Sequence, residues 1–216
     1  MRETILRAVR EEKLVVILRG VAQDKIIPLA EAMWQGGVRL LEVTYDASGK
    51  TPDAVTADSI RRLCEHFGDR MHIGAGTVLT PEQVDMTAAA GGKFIISPDV
   101  CEAVIRRTRA LGLVSMPGAL TPSEMTAAHR AGADFIKLFP ATNFGPEYIK
   151  AVSAPLSHLT ILAVGGVDES NMADYLKVGV GGFGVGSNIV DKKLLAAENW
   201  AGITALAARY VAIVKG

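Results

Sequence analysis

Cysteine is nearly absent, at two in 216 residues, and neither Cys64 nor Cys101 has CxxC or His-linked spacing. A zinc-ribbon site and a disulfide framework are therefore excluded, and both residues are expected as reduced, mostly buried thiols. There is no net charge, because 23 basic residues balance 23 acidic ones, so no basic field is available for a nucleic-acid backbone or an anionic membrane. No apolar run approaches the ~18 residues of a membrane span. The opening "MRETILRAVREEK" is charged throughout and lacks the apolar centre of a secretory signal, so a cytoplasmic protein is expected. Its Ile5, Leu6 and Val9 fall at helical spacing and predict a short leading helix. No HExxH motif or Asp/His cluster is present, so neither a metal nor a cofactor is expected. His66, His72, His129 and His158 read as surface or packing residues.

What is there is a repeating alternation in a chain that is 49% hydrophobic. Strand-like runs ("LVVILRG", "RLLEVTYD", "MHIGAGTV", "KFIISPD", "GLVSMPGAL", "DFIKLFPA", "LTILAVGGV" and "GGFGVGSNIV") are each followed by a helix-like stretch. Thr51-Pro52, Thr80-Pro81 and Thr121-Pro122 pair an N-cap threonine with a proline at the first helical position. Gln83 and Glu124 follow their threonines at capping-box spacing, and Gly145-Pro146 and Asp168 are expected to open later helices. Apolar stripes such as Ile26, Leu29, Ala30, Met33 and Trp34 mark the helix faces. Eight strand–helix units predict eight parallel strands closed into a single (β/α)8 barrel over residues 1–216. The rival is an open doubly wound sheet, whose usual GxGxxG turn is missing after the first strand.

Side chains alternate inward and outward along barrel strands, and barrel active sites lie at the strands' C-terminal ends. Leu40, Glu42, Thr44 and Asp46 share one parity; so do Phe135, Lys137 and Phe139, Val15, Ile17 and Arg19, and Ile73, Ala75 and Thr77. Inward placement of these sets brings Glu42, Lys137 and Arg19 to one cavity. A desolvated lysine loses its proton near neutral pH and attacks carbonyls to give a Schiff base. The resulting iminium is an electron sink for cleaving an adjacent C–C bond, and a facing carboxylate such as Glu42 can shuttle the proton. The bland alternative is a buried Lys–Glu ion pair with no chemistry. Gly165-Gly166 and Gly186-Ser187 end the last two strands, where barrels commonly hold phosphate on backbone N–H groups.

The segments "GGVRLLEVT", "IGAGTVLTPEQV", "ISPD", "FIKLFPA" and "AVGGV…GVGS", in order from about Val15 to Ser187, resemble the 2-keto-3-deoxy-6-phosphogluconate aldolase family. The resemblance implies a class I aldolase on a (β/α)8 barrel, usually a homotrimer, releasing pyruvate and glyceraldehyde 3-phosphate from a phosphorylated keto sugar acid. It implies Lys137 as the Schiff-base lysine and Glu42 as the general acid/base. Thr77 and Pro98 would line the pyruvate end, with Phe139 beside the lysine and Gly165, Gly166, Gly186 and Ser187 at the phosphate. Arg19, with "FGPEYIKA", is closer to the 6-phosphogalactonate branch than to the gluconate branch. Asp46 departs from both branches, which carry arginine or asparagine there, and the loop "YDASGKTPDAVTAD" reads as longer than usual. That loop and Asp46 are expected to reshape the non-pyruvate half of the site. Two other functions stay open at this point: a phosphosugar isomerase or epimerase using Glu42 as base, and a non-catalytic small-molecule binder.

Overall fold

The computed structural model describes all 216 residues. All strand pairings are parallel, in the order β5-β4-β3-β2-β1-β9-β8-β7-β6. The strands are β1 (Leu14–Leu18), β2 (Leu40–Thr44), β3 (His72–Gly76), β4 (Phe94–Ile96), β5 (Val114–Met116), β6 (Gly118–Ala119), β7 (Ile136–Leu138), β8 (Ile161–Val164) and β9 (Gly182–Val185). Nine strands stand where eight were expected, because Pro117 splits the fifth. Proline has no N–H for a ladder, so β5 pairs with β4 before it and β6 with β7 after it. The carbonyl of Pro117 still accepts from Lys137 N at 2.9 Å, which carries the hydrogen bonding round to β7. The result is a nearly closed barrel with helices between the strands, the α/β class expected.

The helices are α1 (Arg2–Glu12), α2 (Ile26–Gln35), α3 (Asp53–Phe67), α4 (Pro81–Ala89), α5 (Glu102–Ala110), α6 (Pro122–Ala131), α7 (Gly145–Ser153), α8 (Met172–Lys177), α9 (Lys192–Ala196) and α10 (Trp200–Lys215). Thr121 and Glu124 form a complete capping box, and the Thr80 hydroxyl accepts from Gln83 N. Two expected starts are displaced. Thr51 does not cap α3, which begins one residue later with Pro52 at the N-cap, and the Thr51 N–H donates to Asp46. Asp168 turns back to Ser170, and α8 begins only at Met172. Cys64 and Cys101 are free and half-buried, somewhat more open than expected. No helix is long and apolar enough to cross a membrane.

Two apolar clusters hold the fold. The larger, of 50 buried residues, lies between strands and outer helices. The smaller is inside the barrel, where Val15, Leu40, Phe94, Val114, Phe135 and Leu162 meet Ile5, Leu6 and Val9 of α1. The leading helix thus plugs the N-terminal end of the barrel. Each of its three buried aliphatic side chains contributes about 1.5–3 kcal/mol in gross transfer energy. The consequence for function is an apolar layer directly beneath the next inward positions, which are Ile17, Glu42 and Lys137.

Candidate active site

One residue pair up the strands from that layer, the interior opens into a cavity of about 900 Å³. Ile17, Glu42, Pro98, Lys137, Val164 and Gly184 line it, each two residues beyond an inward-facing position of its strand. Arg19, Thr77, Phe139, Gly165, Gly166, Gly186 and Ser187 line the same space. Ten of the eleven residues singled out from sequence are therefore brought together.

The eleventh, Asp46, is not. It lies past the end of β2 and lines a neighbouring cavity of about 480 Å³ that shares only Arg19, Gly20, Val21 and Ala22 with the first. Its Oδ1 accepts from Ser48 N (2.9 Å) and Ser48 Oγ (2.6 Å), and its Oδ2 from Thr51 N (2.9 Å). Those bonds hold its pKa down to about 2. Asp46 is thus occupied in shaping its own loop, and strand parity fails for it because the strand has already ended.

Parity also fails in β3. Ile73 and Ala75 pack outward in the large cluster, and Gly74 and Gly76 face in. A Cβ at Gly74 would lie 2.3 Å from the Phe94 ring, and one at Gly76 would lie 1.5 Å from Glu42 Oε1. Thr77 nevertheless reaches the cavity because its φ of +54° re-aims the chain. That conformation is costly for a β-branched residue and is characteristic of functional sites. Its hydroxyl accepts from Arg19 Nη2 at 3.3 Å.

Glu42 and Lys137 are 1% and 6% exposed, among the few buried charged side chains of the protein. Burial pushes the Glu42 carboxyl up, opposed by the positive charges of Lys137 and Arg19. Burial likewise pushes the Lys137 amine down, opposed by Glu42 and assisted by Arg19. In each case burial favours the neutral form, and the charge of the partner opposes it. The Phe139 ring covers the amine, with Nζ 4.9 Å from its centroid. No group of three or more His, Cys, Asp or Glu is placed to hold a metal.

Next to Phe139, Gly165 and Gly166 both have positive φ (92° and 72°), and side chains there would run into Phe139 and Thr142. Sequence reasoning missed Lys25 and Lys192, which also line this cavity. An isolated lysine carries no signal that separates it from a solvated one. Gly184 was also missed, although the alternation Gly182, Gly184, Gly186 marked an inward face free of side chains.

The sequence profile of the KDPG and KHG aldolases matches residues 5–206. The chain belongs to that family. It is accordingly a pyruvate-dependent aldolase, a carbon–carbon lyase. It is 38% identical to the 2-dehydro-3-deoxy-6-phosphogalactonate aldolase of Escherichia coli over 177 residues, covering 82% of this chain and 83% of that one. It is 32% identical to the 2-dehydro-3-deoxy-phosphogluconate aldolase of Haemophilus influenzae, across 99% of this chain and 98% of that one. Among solved structures, the KDPG aldolase of Legionella pneumophila superposes with a TM-score of 0.84 at 30% identity, covering 96% and 97% of the two chains. That protein was captured with pyruvate as a covalent carbinolamine intermediate.

Proposed function

We propose that this aldolase reversibly cleaves a 2-keto-3-deoxy-6-phospho sugar acid to pyruvate and an aldehyde such as glyceraldehyde 3-phosphate, through a Schiff base on Lys137. The observation that carries the reading is a buried lysine with a depressed pKa on the wall of a cavity that also holds a buried glutamate with a raised one. The neutral Lys137 amine adds to the C2 carbonyl, and Glu42 supplies the proton with which the hydroxyl leaves as water. In the iminium, Glu42 as carboxylate takes the proton from the C4 hydroxyl. The C3–C4 electron pair then moves into the iminium, and the aldehyde departs. Glu42 returns the proton to C3 of the enamine, and water releases pyruvate from Lys137.

Thr77, Pro98 and Arg19 would hold the pyruvate end, and Gly165, Gly166, Gly186 and Ser187 the phosphate, with Phe139 excluding water from the amine. Support for the galactonate series over the gluconate series is the higher identity to the galactonate enzyme. A homotrimer is part of the same proposal, and light scattering of the purified protein tests it. The reaction is tested by incubation with pyruvate, borohydride reduction and peptide mapping, beside Lys137→Ala. A reduced pyruvate adduct on Lys137, absent from the variant, is expected. A folded protein that traps no pyruvate would refute the Schiff base and favour an isomerase that uses Glu42 as base. Pyruvate release from the two sugar acids then decides between them.

A further inference from the structure

Within a neutral chain, four basic side chains, Arg19, Lys25, Lys137 and Lys192, line the cavity against one acidic side chain, Glu42. Three of the four are already engaged. Lys137 and Glu42 feel each other's charge, Arg19 donates to Thr77, and Lys25 is paired with Glu198 at 3.1 Å. Lys192 has no hydrogen bond to the protein from its amine and no ion pair within 4.0 Å.

Its side chain is exposed, and its backbone is well placed. The Asp191 carboxylate accepts from Lys193 N and Leu194 N, both at 2.8 Å, and fixes the start of α9. The preceding turn is tied back to Gly186, whose carbonyl accepts from Ile189 N and Val190 N. Leu195 and Ala196 of the same helix line the cavity as well, whereas Lys193 does not. The Lys25–Glu198 pair then joins the end of this segment to the β1–α2 loop. Lys192 is therefore a free cation held on the wall of the cavity that Gly186 and Ser187 line.

Resting on the aldolase reading of the same cavity, we infer that Lys192 is a specificity-determining residue: it pairs with the phosphate monoester of the substrate and sets the preference for phosphorylated over unphosphorylated keto acids. Lys25 already pairs with Glu198, which leaves Lys192 as the lysine of this wall without a partner.

The experiment is a calorimetric titration of inorganic phosphate into the wild type, Lys192→Met, Lys192→Arg and Lys193→Met. Loss of one charge-assisted contact from an exposed side chain is expected to weaken phosphate binding about 10-fold in Lys192→Met. Lys192→Arg should recover most of it, and Lys193→Met should stay within about twofold, because Lys193 is exposed, does not line the cavity and is screened by solvent. The ratio of kcat/KM for a phosphorylated keto acid to that for its unphosphorylated analogue should fall about 10-fold in Lys192→Met, mostly through KM. Undiminished phosphate binding in Lys192→Met overturns the inference, as does an equal loss in Lys193→Met, a parallel fall on both substrates, or no saturable phosphate binding by the wild type. Pyruvate trapping on Lys137 is read separately in the wild type, so a failed Schiff base and a failed phosphate contact remain distinguishable.

Discussion

The tightest approach in the site is between a glycine and Glu42, the proposed acid/base, and it converts into a magnitude. A Cβ added at Gly76 would stand 1.5 Å from Glu42 Oε1, 2.2 Å from its Cδ and 2.6 Å from its Cγ, where heavy atoms need at least 3.0 Å. In Gly76→Ala the near carboxyl oxygen must retreat by about 1.5 Å and the carboxyl carbon by about 0.8 Å. Gly76 is not among the glycines with positive φ, so alanine meets no backbone penalty, and the flexible glutamate gives way before the sheet does. Misplacing a reacting group by about 1 Å costs on the order of 100-fold in rate, or about 2.7 kcal/mol of barrier. The expected phenotype is a folded protein with an unfolding midpoint within a few degrees of wild type. Its kcat/KM on the phosphorylated keto acid should be about 100-fold lower. Pyruvate should still be trapped on Lys137, more slowly, since the amine itself is untouched. Full activity in Gly76→Ala would refute the role given to the position of Glu42. Loss of trapping together with turnover would refute the claim that the damage is confined to Glu42.

The rate of pyruvate trapping should rise with pH through a midpoint below that of an ordinary lysine, since only the free amine attacks and burial favours that form. The Glu42 carboxylate favours the protonated amine and Arg19 opposes it, so Glu42→Gln should move the midpoint to lower pH and Arg19→Met to higher pH. Shifts of the same sign in both variants would contradict the electrostatics. Ile5→Ala, in the plug at 2% exposure, should cost about 3 kcal/mol in urea denaturation; a cost below about 1 kcal/mol would mean that α1 does not seal the barrel. Thr77→Gly removes a strained left-handed threonine together with the hydroxyl that accepts from Arg19. It should raise the thermal midpoint while lowering kcat/KM about 10-fold, a trade of stability for activity. A lower midpoint would show that no strain is stored there.

The alternation of strand-like and helix-like runs carried the barrel because parallel strands need crossover helices, and both leave periodic apolar marks. Period-two reading placed Glu42, Lys137, Arg19 and Phe139 on common faces, and the structure confirms those faces because these residues lie on a regular strand or directly at its end. It misread β3, where Gly74 and Gly76 face in and Thr77 returns to the cavity only through a positive φ. It misread Asp46 for a related reason. Once β2 ends at Thr44, local hydrogen bonds to Ser48 and Thr51 decide the direction of the side chain, and those bonds have no period.

Sequence by itself determined the fold class, the family and the chemical identities of the Glu42–Lys137 pair. All three reside in residue type and local spacing, which do not depend on what lies opposite. Only the tertiary structure decided that an N-terminal helix seals the barrel beneath that pair, and that Pro117 divides the fifth strand. It also placed Lys192 on the same wall as Gly186 and Ser187. Burial and charge coupling are properties of the space between segments distant in the chain, and closure of the barrel creates that space.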